Sequence, residues 1–556
     1  MKHIISKICI ALTALVFGLL GCTPLPDAPK ATQPISTNSP IPQASATAAL
    51  TGLWIAPSAP DTLRQAALGF NLPAASSPET AAIRLEVTQA AATSPSVWVY
   101  ALVAPFPTVS DGVNWSEVQK AWGGNPPAAF SGKPLLMAQN TYEALKTIFN
   151  GEAAAGAVKL IPAEALTAAL WQDRPQWGIV PFEALNPKLK VLTIEDQSPI
   201  HKNFDIAKYP LKVTFNLQPF GELRTAPSTF QPSNLPTTNY DPAKLTTLIM
   251  TGTSGLVRAI AAKMEEKGVT YPGGDMREIL READILHISN EVSFAETCPP
   301  PVYDTHDLRF CSRPNYIDLF SDVGVDVVEA TGNHINNWDV KPFSDTLKMY
   351  TARGWVYFGG GQNLADAKKP LFMEHNGTKL AFIGCNVAGP VVAYATETLA
   401  GAAPCGDYAW ILAAIRSLHA RGYIVIVTQQ YNEYYQPGPT ENQAHDFARL
   451  AEAGATIVSG SQAHYPQTMT FLNDAFVHYG LGNLFFDQMS YEWPIGSGNF
   501  TYRTRDEFLD RHVFYNGQYI STELLTARLE DYSRPRPMTP GERVEFLTTY
   551  FAASGW

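Results

Sequence analysis

Charge is scarce in this sequence, and it is not concentrated anywhere. Only 16% of the residues are Asp, Glu, Lys or Arg, against 46% hydrophobic. That balance excludes an intrinsically disordered chain, because enough apolar surface is present to build a core. The net charge of −11 is spread along the chain and no basic stripe interrupts it. Nothing is there to neutralise phosphates, so nucleic acid is excluded as a partner. Long apolar runs are missing beyond the first residues, so the bulk of the chain reads as an ectodomain and not as membrane spans. Cysteine is limited to Cys9, Cys22, Cys298, Cys311, Cys385 and Cys405. None of these forms the tight CxxC pair that a cysteine metal site wants.

What is present begins with the N-terminus, MKHIISKICIALTALVFGLLGC over residues 1–22. Lys2 and Lys7 lead into an uncharged run from Ile8 to Leu20. The run is too short for a mature spanning helix and suits the core of a signal peptide. It ends in Leu19-Leu20-Gly21-Cys22, which resembles the lipobox of bacterial lipoproteins. The resemblance implies cleavage before Cys22, acylation of that residue, and an extracytoplasmic protein anchored to the cell membrane by lipid. Residues 23–47 are rich in Pro, Ser, Thr and Ala. They cannot bury enough surface to offset their ordering entropy, and they read as a tether. With Cys9 lost and Cys22 lipidated, an even set of cysteines remains in an oxidising compartment. Two disulfides are expected, Cys298–Cys311 and Cys385–Cys405, each closing a modest loop, although sequence alone permits three pairings.

Roughly 500 residues follow the tether, too many for one ordinary core. Residues 48–225 alternate strand and helix patterns. WVYALVAPFPTV from Trp98, and WGIVPFEAL with KLKVLTIE around a Pro-Phe turn, read as strands. QNTYEALKTIFNG and AEALTAALWQ read as helices. The unit is an α/β domain and resembles a truncated periplasmic solute-binding lobe. It holds no paired carboxylates, no histidine cluster and no glycine-rich phosphate loop. Its tryptophans (Trp98, Trp115, Trp122, Trp171, Trp177) are candidates either for sugar stacking or for packing. Residues 226–243 are Pro/Ser/Thr-rich and read as a linker.

From Leu245 onwards one pattern recurs: a short apolar run ends and polar residues follow at once. TTLIM leads to Thr251-Gly252-Thr253, ADILHI to Ser289-Asn290-Glu291, and VDVVEA to Thr331-Gly332-Asn333-His334. TKLAFIG leads to Cys385-Asn386, YIVIVT to Gln429-Gln430 and on to Glu433, and ATIVSG to Ser461-Gln462-Ala463-His464. In α/β sheets, loops beyond the carboxyl ends of strands converge on ligands. Asn, Glu and His gathered there are oxygen and nitrogen ligands suited to a divalent ion such as Mn, Zn or Fe. Each alone is more often a turn cap or a satisfied hydrogen bonder. Tyr431, Tyr434, Tyr435, Tyr465 and Tyr479 lie beside these loops and suit a sugar or an apolar polymer backbone as well as a packed rim.

At these residues the chain resembles the CapA family of capsule and poly-γ-glutamate synthesis proteins. The resemblance runs over roughly Leu245 to Asp487. It is carried by SNE at 289–291, GNH at 332–334, FGGGQNLADAKKP at 358–370, NEYY at 432–435, GATIVSGSQAH at 454–464 and YGLGNLFFD at 479–487. It implies a C-terminal metallophosphoesterase-like α/β sandwich over residues 244–537, beside the N-terminal α/β domain. Residues 538–556 are expected to form a closing helix, and Asn516-Gly517 the turn of a hairpin.

The departures from the family pattern matter as much. A Gly-Asp of the family is here Gly252-Thr253. A family histidine falls on Gln429, and a GHHPH block becomes Gly460-Ser461-Gln462-Ala463-His464. Thr and Gln are weak neutral ligands, so the set implied is Glu291, Asn333 and His464 around one metal at best. His334 and Glu433 are the catalytic candidates, and Asn290, Gln429, Gln462 and Tyr431 the substrate-contacting ones. Three readings stay open. One is a non-catalytic surface protein binding an anionic or glycan polymer, another a metal-dependent hydrolase of a phosphoester or polymer amide, and the last a scaffold whose polar strand ends are relics.

Overall fold

Strands of the second half carry apolar residues on both faces, which is what a sheet covered on each side requires. They form two sheets, face to face, with helices outside each. The computed structural model describes residues 52–89, 95–220, 235–303, 308–488 and 502–556. The signal segment, Cys22, the tether and the first half of the linker lie outside the described residues.

The N-terminal sheet comprises β1 (Leu53–Ile55), β2 (Ile83–Val87), β3 (Pro95–Pro105), β4 (Leu135–Met137), β5 (Val158–Leu160), β6 (Gly178–Pro181), β7 (Leu189–Val191) and β8 (Lys212–Pro219). Its order is β1–β2–β8–β3–β6–β4–β5, with β7 also on β3. Strand β8 returns to lie between β2 and β3, antiparallel to both. The two expected helices are at Gln139–Leu145 and Leu166–Gln172. The tryptophans are packing groups in this fold. Trp98 and Trp177 are buried. Trp115 and Trp122 stack on Phe149, and Trp171 meets Phe471 and Trp556 edge-on.

The main strands of the second half are β9 (Leu245–Ser254), β10 (Ile285–Asn290), β11 (Val327–Glu329), β12 (Val356–Phe358), β13 (Leu371–His375), β14 (Thr378–Asn386), β15 (Ile424–Gln430), β16 (Ile457–Ser461), β17 (Met469–Leu472), β18 (Ala475–His478), β19 (Asp506–Tyr515), β20 (Gln518–Glu530) and β21 (Arg534–Pro537). One sheet has the order β12–β11–β10–β9–β19–β20–β21, and the facing sheet the order β13–β14–β15–β16–β18–β17. Strands β9 to β12 are mutually parallel, as are β14, β15, β16 and β18.

Three cores follow from the strand alternation. Leu248, Met250, Ile285, Val327, Phe382, Ile424, Ile426 and Ile457 pack between the sheets. Ile249, Leu286, Ile288 and Val328 point outward onto helices carrying Leu280, Phe320 and Leu347. Ile383, Val425, Val427 and Val458 face outward on the other side, onto Ile411, Ile415 and Phe447. The result is helix, sheet, sheet, helix: the metallophosphoesterase-like α/β sandwich, joined to an N-terminal α/β sheet.

Both expected disulfides are formed, with Cα–Cα separations of 5.7 Å for Cys298–Cys311 and 5.0 Å for Cys385–Cys405. The hairpin turns at Asn516 and Gly517, both at positive φ. The closing helix is Pro540–Ala553, started by a Thr539/Glu542 capping box. No described helix is long and apolar enough to cross a membrane.

The N-terminal sheet is tied to the last hairpin and helix by paired charges. Arg543 and Lys190 both hold Asp111, at 2.8 and 2.7 Å. Arg511 and His201 both hold Glu523, at 2.6 and 2.9 Å. Burial alone would raise the Glu523 carboxyl, but Arg511 and His201 outweigh it and bring it down to about 2. Burial draws the Lys190 ammonium down to about 8, against the opposing pull of Asp111. Beside these pairs lies a largely apolar cavity of about 280 Å³ that includes Phe106, Met276, Leu524 and Leu547.

Candidate polar site at the strand ends

The pleat decides which strand-end residues meet. Successive side chains on a strand point to opposite faces. On β15, Ile424 and Ile426 face the inter-sheet core while Val425 and Val427 face outward. Gln430 therefore continues the inner face and Gln429 the outer one. Gln429 donates to the Tyr408 hydroxyl and lies 3.9 Å from Cys405 Sγ, on the helix side of the sheet. The expectation that Gln429 stands at the site is corrected: its neighbour Gln430 does. Asn290 is displaced by the same parity. On β10, Ile288 faces the outer helices, and Asn290 follows it, donating to the Tyr350 hydroxyl at 2.6 Å and to Val292 O at 2.8 Å. Tyr431 also turns away, to Asp446 Oδ2 at 3.1 Å and the Phe447 ring.

What does come together is an amide network. Gln430 Nε2 donates to Asn333 Oδ1 at 3.2 Å and also to Gln462 Oε1. Ser461 Oγ is 2.9 Å from Gln430 Oε1 and 2.9 Å from Glu329 Oε1. The Gln462 backbone N–H donates to Thr253 Oγ1 at 3.1 Å. Thr253 is itself clasped by the loop after β18: its N–H donates to Gly482 O at 3.0 Å, and it accepts from Leu484 N at 2.9 Å. A Cβ on the preceding Gly252 would sit 2.2 Å from Gly482 O, so only glycine permits this approach.

Beside the amides stands Glu291. It is wholly buried, and neither carboxylate oxygen has a hydrogen-bond partner. The glycine of the GNH loop makes this packing possible, since a Cβ on Gly332 would lie 2.3 Å from Glu291 Cα. His464 Nε2 is 3.8 Å from Glu291 Oε1 and 3.6 Å from Glu433 Oε1. The imidazole is fixed from behind: Nδ1 is 2.7 Å from Asn483 Oδ1, and Asn483 Nδ2 donates to the carbonyls of His464 and Thr504, each at 3.3 Å. Because the Asn483 amide nitrogen is engaged by carbonyls, its oxygen accepts from His464 Nδ1, which turns Nε2 towards the two carboxylates. The ring also stacks on Phe486 at 4.6 Å. Both Gln462 and His464 sit at positive φ, +77° and +50°, backbone strain of the kind that collects at binding sites.

His334 is held to one side, with Nδ1 2.6 Å from Asn337 Oδ1 and its ring 4.6 Å from Phe310. Phe310 belongs to the Cys298–Cys311 insertion, which thus packs on the GNH loop. Glu433 is about half exposed and accepts from the Tyr435 hydroxyl at 3.1 Å. Arg258 Nη2 meets the buried Asp487 Oδ1 at 2.5 Å and lies over the Phe486 and Phe310 rings. Beneath the amides, burial raises the Glu329 carboxyl despite hydrogen bonds from Thr331 and Ser461. Burial also lowers the neighbouring His287, 3.6 Å from it, to about 3.

A two-metal centre of the kind this fold carries does not fit these residues. It needs several anionic or imidazole ligands and a bridging carboxylate. Among the described residues no group of three or more His, Cys, Asp or Glu is arranged to hold a metal ion. The Asn333 oxygen that would ligate an ion accepts instead from Gln430, and Thr253, Gln430 and Gln462 are neutral. The metal set expected from sequence (Glu291, Asn333, His464) is thus divided: Asn333 belongs to the amide network, Glu291 and His464 to the carboxylate–imidazole pair beside it.

A family model described as bacterial capsule synthesis protein PGA_cap matches residues 247–488. This region belongs to the CapA capsule synthesis family. Capsule biosynthesis protein CapA of Bacillus anthracis is 24% identical over 237 residues, covering 42% of this chain and 54% of that protein. PGA biosynthesis protein CapA of Bacillus subtilis (strain 168) is 25% identical over 265 residues, covering 47% and 66%. The chain therefore spans only 54% and 66% of the length of these relatives. Among solved structures, NAD nucleotidase of Haemophilus influenzae aligns over 55% of this chain and 56% of its own, at TM-score 0.30 and 8% identity. An ABC-type phosphate transport receptor from Vibrio cholerae aligns over 29% of this chain and 84% of its own, at TM-score 0.25 and 10% identity. Likenesses this slight carry no argument. The family's role in capsule synthesis and the two disulfides agree on an extracytoplasmic protein.

Sequence reasoning had Gln430, Tyr435 and Asn483 near the strand ends but gave none of them its particular role at the site. The pleat would have found Gln430, since the inner-face positions 424 and 426 lead to it by steps of two. No signal in the sequence announces Asn483 as the group that orients His464.

Proposed function

We propose that this chain is a lipid-anchored surface protein of capsule or poly-γ-glutamate-type polymer assembly, which binds polymer at its strand ends and has given up the two-metal chemistry of its fold. One observation carries the reading: Asn333, expected as a metal ligand, instead accepts from the neutral amide of Gln430, which also donates to Gln462. Amides bonded to one another offer an ion no charge and only part of their lone-pair capacity, and they are good partners for polymer hydroxyls and carbonyls. The lipobox at Leu19–Cys22 supports the anchor.

The test is metal content of the purified full-length protein by mass spectrometry, beside an Asn333→Ala/His464→Ala variant. Far less than one Mn, Zn or Fe per chain in both is expected, together with retention of purified surface polymer on the immobilised protein. Near-stoichiometric metal lost in the variant would overturn the reading and make the chain a hydrolase. Replacing Cys22 by Ser is expected to abolish fatty-acid labelling and release the protein from the membrane fraction.

A further inference from the structure

One loop of this molecule is built inside out. It runs over residues 386–404 and is closed by the Cys385–Cys405 disulfide. Asn386 Nδ2 donates to Thr331 O at 2.7 Å, which seats the loop at the root of the GNH loop. Its alanines are turned in: Ala393, Ala395 and Ala400 are buried. Its large aliphatic residues are turned out: Val391 is 81% exposed, Val392 57% and Leu399 49%. Side chains of that size ordinarily take the buried places. The loop is firmly held. Asn336 Nδ2 donates to Val392 O and to Ala400 O, at 2.9 and 3.0 Å, which draws the exposed residues together. Ala395 N donates to Ala402 O at 2.9 Å. Glu397 is the only charged residue in the loop. An exposed apolar patch fixed in this way marks an interaction surface.

The neighbouring residues indicate what covers it. The short helix Leu364–Ala367 joins the loop through Leu364 N, which donates to Thr396 O at 2.8 Å. The next residue, Lys368, places its ammonium 5.2 Å over the ring of the half-buried Trp410. Aliphatic tips flanked by Trp and Lys suit a bilayer surface: the tips enter the acyl boundary while ring and ammonium stay among the headgroups. A sugar calls for aromatic faces, and the centre of a protein interface favours Tyr, Trp, Met and Arg. The exposed residues here are Val and Leu.

We propose that the Val391, Val392 and Leu399 surface rests on the membrane that carries this chain, inserted at the headgroup–acyl boundary. This relies on the lipid anchor of the reading above. Residues 23–51 separate Cys22 from the first described residue, and a chain of that length spans at most roughly 100 Å. The folded part is thereby confined near the bilayer, so a shallow insertion is enough to orient it. The orientation sets the strand-end site beside the membrane surface.

The test places a polarity-sensitive dye on Val391→Cys in the full-length, lipidated protein, reconstituted in phosphatidylcholine/phosphatidylglycerol vesicles. The reference is the same dye on Val544→Cys, on the closing helix and 52% exposed. The Val391 dye is expected to shift to the blue and to be quenched by spin-labelled lipids, while the Val544 dye emits as in water. The blue shift is expected to survive high salt, and to be lost when Val392→Asp and Leu399→Asp are added. Water-like emission at Val391 overturns the assignment and leaves the anchor standing. A blue shift that the two Asp substitutions do not change overturns it, as does one that high salt abolishes, since charge and not insertion would then hold the surface. Retention of Cys22→Ser in the membrane fraction sinks the anchor, and the Val391 dye then decides the loop by itself. Sedimentation velocity without vesicles covers the other occupant: a dimer abolished by Val391→Asp/Val392→Asp would make the surface an interface between copies and overturn the membrane assignment.

Discussion

Two charged regions of this molecule are built on opposite plans. Where the N-terminal sheet meets the last hairpin and helix, Asp111 is held by Lys190 and Arg543, and Glu523 by Arg511 and His201. At the strand ends, the Glu291 oxygens have no hydrogen-bond partner, with His464 Nε2 3.8 Å from Oε1, and the residues beside it are amides that bond to one another. The first arrangement secures a joint. Each charge there is compensated, and the net shift of Glu523 to about 2 records how strongly its partners favour the carboxylate. The second arrangement lowers stability for nothing unless a ligand completes it. Pairing thus separates charges that hold the fold from charges kept available.

The sharpest way to break this contrast is to strand a charge at the joint. Arg511→Ala leaves Glu523, whose side chain is only 18% exposed, without its main partner. Unfolding in urea should show a loss of about 3 kcal/mol. A loss under about 1 kcal/mol would mean the joint is solvated and the contrast false. Next in size is the pH response. The Glu523 carboxyl is held below its ordinary 4.5, at about 2. Its contribution is present above the unfolded value and is lost as pH falls from about 4.5 through about 2. Urea midpoints measured across that window should decline, and Glu523→Gln should flatten the decline. At the strand ends the sign reverses: Glu291→Gln removes a buried carboxylate that no hydrogen bond satisfies and should raise stability by about 1 kcal/mol in the absence of ligand. A destabilised Glu291→Gln would show that Glu291 belongs with the paired charges after all. Smallest is Glu433→Gln, at a half-exposed position, expected within about 0.5 kcal/mol of the parent by the same assay.

The sequence made the strand ends legible because apolar runs stop abruptly at polar residues, and the two disulfides because each pair closes a short loop. The loss of the Asp at Thr253 was equally plain. What misled was spacing along the chain. Matching the family histidine selects Gln429, yet the pleat sends that side chain to Tyr408 and Cys405 and leaves Gln430 inside. Asn290 and Tyr431 fail for the same kind of reason: a polar residue at a strand end has two faces open to it, and only the core on each side says which it takes. The hairpin was readable from Asn516-Gly517, but its place was not. That β19 lies directly against β9 depends on contacts between residues far apart, such as Thr247 with Val513.

That pairing bears on how the chain is made. The family-matching stretch ends at residue 488, before β19 begins at Asp506. Expressed alone it would leave β9 as an open, apolar edge, an invitation to aggregate. During synthesis the same edge waits for the last part of the polypeptide to emerge, and pairing across so long a separation is slow. A protein bound for export gains from such delay: its central sheet cannot close early, so the chain stays threadable until it reaches the oxidising side, where its cysteines can join.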